Sequence, residues 1–62
     1  MTKETIKLIN DTVSTVALTI VGEKSNAEMI ENLRAIGAPK EVIDHCITTA
    51  STGRDIIDEF YL

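Results

Sequence analysis

From Thr2 to Val21 the apolar residues Ile6, Ile9, Val13, Val16 and Ile20 recur at intervals of three and four, the period at which one face of an α-helix repeats. At about 100° per residue these five, with Ala17 and Val21, fill one arc, and Lys3, Glu4, Lys7 and Asp11 point away from it. Leu8 and Leu18 break the pattern by projecting from the otherwise polar side, which suggests a second contact surface. Thr15-Val16-Ala17-Leu18-Thr19-Ile20-Val21 is also β-branched enough to alternate as a strand. No other segment offers it a partner, so a sheet would have to form between chains, and a helix is the expected form.

Gly22 should end this first long helix, with Gly22-Glu23-Lys24 as a turn. Ser25 and Glu28 then have the S-x-x-E spacing of a capping box. The helix they open carries Met29, Ile30, Leu33 and Ile36 on one stripe and stops at Gly37. Pro39 suits the first turn of a third helix, with Val42, Ile43, Cys46, Ile47 and Ala50 inward and Lys40, Glu41, Asp44, His45 and Thr48 outward. Around Ser51-Thr52-Gly53 the apolar period breaks, and it restarts in Asp55–Leu62. Thr52 and Asp55 have N-cap spacing, so a Gly-centred turn and a short fourth helix are expected. The fold class is therefore all-α: residues 1–62 form a single domain of one long N-terminal helix and three shorter ones in a small bundle.

A chain of 62 residues buries only about 60% of its unfolded surface. Domains this small are commonly stapled by disulfides, a metal or self-association. Cys46 is the only cysteine, which excludes an internal disulfide, and His45 and Cys46 alone cannot supply the roughly four donors a zinc ion takes. Oligomerisation and regular packing remain. Burying one large apolar side chain contributes about 1.5–3 kcal/mol, against a total stability of about 5 kcal/mol for a small domain. Pairing in a homodimer or higher oligomer would cover several such residues.

Six Lys and Arg stand against ten Asp and Glu, and each half of the chain sums to −2. Without a basic face, nucleic-acid binding is disfavoured. Phe60 and Tyr61 are the only aromatic residues, which leaves no base-stacking platform. No apolar run approaches the roughly 18 residues of a membrane span, and one lone thiol suits a reduced cytoplasm.

Residues 29–62 loosely resemble the three-helix ubiquitin-associated pattern: a helix ending in Ile36-Gly37, a proline at the next start, a middle helix, and Gly53 before a short last helix. Where that pattern has an aromatic directly after its loop glycine this chain has Ala38, and Arg54 stands at a place the pattern makes apolar. The resemblance implies a compact three-helix unit and binding of ubiquitin.

No catalytic constellation is legible. His45 and Cys46 are adjacent, so on a helix they diverge by about 100° and cannot act as base and nucleophile. Cys46 falls within an apolar stripe, where a thiol behaves as a small hydrophobe. Asp44, Asp55, Asp58 and Glu59 read as a solvated face, and no calcium loop is present. The hydroxyl-rich Thr48–Arg54 segment, read as a helix start, would offer free N–H groups to an anion. Ser51, Thr52 and Arg54, with Lys24 as a weaker addition, are then candidates for a phosphorylated or nucleotide ligand. Capping hydroxyls and an Arg54–Asp58 pair are the plainer reading of the same residues.

The apolar excess carries more weight. Ile6, Leu8, Ile9, Val13, Val16, Leu18, Ile20, Phe60, Tyr61 and Leu62 are the candidate oligomer or partner interface. The expected function is a small, acidic, non-enzymatic helical interaction protein without a cofactor, an adaptor or inhibitor that binds itself and a larger cytosolic protein. The alternative is an oligomer that sequesters a small anionic ligand.

Overall fold

The computed structural model describes residues 1–61. They form three helices, α1 (Lys3–Ile20), α2 (Asn26–Ala35) and α3 (Lys40–Tyr61). α1 starts where Thr2 accepts a hydrogen bond on its side chain from the Thr5 N–H at 3.1 Å. The helix persists through Ile20, so the β-branched run is helical and not a strand.

Two turns join the helices by the same device. Gly22 and Gly37 adopt φ of +86° and +80°, a conformation that costs glycine nothing. Beyond each, a backbone N–H reaches back to the last turn of the helix: Glu23 to the Leu18 carbonyl at 2.9 Å, and Ala38 to the Leu33 carbonyl at 3.0 Å. These are Schellman closures. The capping box is complete in both directions, with the Glu28 N–H donating to Ser25 Oγ at 3.2 Å and the Ser25 N–H donating to Glu28 Oε1 at 3.4 Å.

The expected fourth helix does not form. α3 runs unbroken from Lys40 to Tyr61, through Ser51, Thr52 and Gly53, so the three-helix pattern proposed for residues 29–62 is absent too. The reason lies on α1. A Cβ built on Gly53 would come within 2.7 Å of Ile20 Cδ1 and 2.8 Å of Ile20 Cγ1, so Gly53 is the place where two helices touch. Its missing side chain continues the buried row Ile43, Cys46, Ala50 at helical spacing. A mid-helix glycine costs about 1 kcal/mol relative to alanine, and close packing against Ile20 offsets it. The hydroxyls upstream are absorbed by the helix itself: Thr48 and Thr49 donate to the carbonyls of Asp44 and His45.

Each helix packs on the other two. Ile9 shares a hollow with Val42 and Ile20 meets Gly53, so α1 and α3 run parallel, with α2 packed against both. The core consists of Met29, Leu33, Ile43, Cys46 and Ala50, flanked by half-buried Val16, Ile20, Ile30, Ile36, Ala38 and Ile47. Val42, expected inside, is exposed. None of the fully buried apolar residues comes from α1, whose buried residues are Thr15 and Thr19.

Candidate functional site

α1 turns Thr15 and Thr19 to the core and leaves several of its large apolar residues in solvent. Thr19 is 0% exposed, whereas Val13 is 61% exposed and Ile6, Leu8 and Ile9 are also open. The arrangement is stable because the threonine hydroxyls are internally satisfied. Thr19 Oγ1 donates to the Thr15 carbonyl at 2.7 Å, and Asn32 Nδ2 approaches Thr15 Oγ1 at 3.5 Å. No buried side-chain nitrogen or oxygen among the described residues lacks a partner, so the usual cost of burying a hydroxyl is avoided.

The outward face of α1 forms one wall of a groove, and α3 forms the other. Two adjoining hollows share Thr12 and Val13. One, ≈ 350 Å³, runs from Val13 past Val16 to Ile20 against His45, Cys46 and Thr49. The other, ≈ 240 Å³, lies among Leu8, Ile9 and Val42. Almost all the surface is apolar. On α3 the row Val42, Thr49, Ile56 and Phe60 continues at intervals of seven, seven and four, which keeps it on one side of the helix. Ile56 and Phe60 are exposed, Phe60 at 71%, on the two turns of α3 that extend past the end of α1.

Of the candidate interface residues, Ile6, Leu8, Ile9, Val13, Phe60 and Tyr61 are exposed, and Val16 and Ile20 are half-buried at the floor of the groove. Leu18 stands apart. It lines a cleft between α1 and α2 with Asp11, Ser14, Lys24, Asn32 and Ile36. Leu62 lies outside the described residues.

The anion-site residues are not brought together. Ser51 and Thr52 are exposed in mid-helix, where no free N–H groups exist, and Lys24 sits in the α1–α2 cleft. Arg54 is engaged elsewhere: its Nε–H donates to the Thr19 carbonyl at 3.1 Å, in place of the expected pair with Asp58. The last turn of α1 holds no basic residue of its own, so α3 supplies the cation that complements the negative end of the α1 dipole. Sequence spacing could not reveal a partner 35 positions away.

Cys46 is buried, and burial pushes its thiol pKa up from the usual 9.0, the opposite of what a reactive thiolate needs. His45, its neighbour, is exposed at the groove's edge. Among the described residues no group of three or more His, Cys, Asp or Glu could hold a metal ion, and no helix is long and apolar enough to cross a membrane. No protein-family model matches this chain, no curated protein matches its sequence, and no solved structure matches its fold.

Proposed function

We propose that this chain is a non-enzymatic helical interaction protein that associates with itself through the α1–α3 groove and acts as an adaptor or inhibitor of a larger cytosolic protein. One observation carries the reading: α1 buries Thr15 and Thr19 while Ile6, Ile9 and Val13 stay in solvent. A helix whose apolar face is left outside its own domain marks a surface meant to be covered. The small core supports self-association, since chains of this size commonly need a second source of burial. Leu18 and Tyr61, off the groove, are the residues left for the larger partner.

The test is sedimentation analysis of the unsubstituted protein beside Val13→Glu. A dimer or higher oligomer that becomes monomeric on Val13→Glu, with its helical circular dichroism intact, is expected. An unsubstituted chain that is monomeric at tens of micromolar would sink the reading.

A further inference from the structure

The groove's two walls overhang the bundle at opposite ends. α1 and α3 are parallel and offset, with Val42 beside the Leu8–Val13 stretch and Gly53 against Ile20. The first turn of α1, with Ile6, therefore projects beyond one end, and the last two turns of α3, with Ile56 and Phe60, project beyond the other. We infer that the occupant of the groove is a second copy of this chain laid antiparallel, so that the α1 overhang of each copy lies level with the α3 overhang of its partner. This rests on the self-association proposed above and specifies its geometry.

Three features favour this occupant. The first is coverage. A parallel copy would set each overhang beside its own kind, whereas an antiparallel copy sets the α1 overhang of each level with the α3 overhang of its partner, where Ile6 and Phe60 can cover one another.

The second is charge. The α3 overhang carries Asp55, Asp58 and Glu59, whereas the α1 overhang carries Lys3 and Glu4, with Lys7 on the next turn. Lys3 has no ion-pair partner among the described residues, and Lys7 holds only a surface pair with Asp11. Parallel pairing would set three carboxylates against three. Antiparallel pairing separates the acidic ends by the length of the bundle and places each beside lysines, within the range of about 8–10 Å over which charges act at ordinary salt.

The third is self-complementarity, which a two-fold interface demands. Val42, Thr49 and Ile56 are spaced symmetrically about Thr49, so an antiparallel copy sets Val42 level with Ile56 of the partner at both ends. The area is sufficient as well. Ile6, Ile9, Val13, Val42, Ile56 and Phe60 together expose on the order of 500 Å² of apolar surface, a fitting share of the about 800 Å² that each partner of a standard interface covers.

Spin-label distances decide the orientation. Glu4→Cys and Tyr61→Cys, each in a Cys46→Ala chain, put a nitroxide on one overhang at a time. At 1.5 Å rise per residue, antiparallel pairing separates like labels by about 35 Å in either protein, and parallel pairing brings them to about 20 Å or less. Should Cys46→Ala prevent folding, the same labels serve in the parent chain, whose buried thiol resists the reagent. About 35 Å in both proteins, with a short distance in the mixed Glu4/Tyr61 sample, is expected. About 20 Å or less for either label overturns the antiparallel arrangement and leaves self-association standing. A dimer that survives Val13→Glu uses another face and overturns the arrangement too, while a monomeric chain overturns it together with the function proposed above.

Discussion

The two helices that meet across residues 21–25 use their apolar residues in opposite ways. α2 buries Met29 and Leu33 completely, whereas α1 holds Ile6, Ile9 and Val13 outside and meets the core through buried Thr15 and Thr19 with half-buried Val16 and Ile20. Both are amphipathic and each packs on the other two helices, but the fully buried apolar side chains come from α2 and α3. On α1, Ile6, Ile9 and Val13 stay exposed. Amphipathicity shows that a helix has a face to cover; what covers it depends on how the helix is rotated about its own axis.

Leu33→Ala should separate the two helices most sharply. It removes a side chain with no exposure, so a loss of about 2–5 kcal/mol is expected, enough to unfold a domain this small in urea titration. Gly53→Ala comes next. The added methyl must displace the stiff, β-branched Ile20, and a net cost of about 1–3 kcal/mol is expected despite alanine's better helix propensity. A more stable Gly53→Ala protein would mean that α1 and α3 do not touch there. Ser25→Ala removes one half of the capping box and should cost about 1 kcal/mol, seen as a lower thermal midpoint. Ile9→Ala, on the α1 face, should leave the stability of the monomer within about 0.5 kcal/mol while weakening self-association several-fold by sedimentation. If Ile9→Ala destabilised the chain as much as Leu33→Ala at concentrations too low for association, the contrast between the helices would collapse.

The smallest expected effect concerns pH. Because burial raises the Cys46 pKa above 9.0, the neutral thiol belongs to the folded state. Its contribution to stability is full below about pH 9 and falls as pH rises through the folded-state pKa. Thiol titration with a chromogenic disulfide should therefore be slow at pH 8 and accelerate only where alkali begins to loosen the fold. Fast reaction at neutral pH would contradict burial.

Much of the framework is legible in the residues. Gly22 and Gly37 mark two chain reversals, Ser25 and Glu28 mark a helix start, and the Met29–Leu33 stripe and Cys46 lie inside as their spacing predicts. Local chemistry decides all of these within a few residues. Gly53 is different, because Thr52 and Asp55 imitate a cap, while the close approach of Ile20 to the glycine involves a residue far away in sequence. The Arg54–Thr19 link is invisible for the same reason. On α1 the apolar arc is plain, but Thr15 and Thr19 look polar in a list of residue types. They are accommodated in the core because the Thr19 hydroxyl folds back on its own helix and the Thr15 hydroxyl meets Asn32.

The meeting of Thr19 and Ile20 with Gly53 and Arg54 also bears on the order in which the chain assembles. Closing a flexible loop of 35 residues costs about 3 kcal/mol in chain entropy, whereas the tight reversals at Gly22 and Gly37 join neighbouring helices over a few residues. Those two hairpins can form from local encounters, and each brings α1 or α3 onto α2. The clasp between α1 and α3 then closes across a distance that α2 has already shortened. With the clasp formed last, loosening it is expected to leave the rate of folding nearly unchanged and to shorten the lifetime of the folded chain, as refolding and unfolding rates of Arg54→Ala would show.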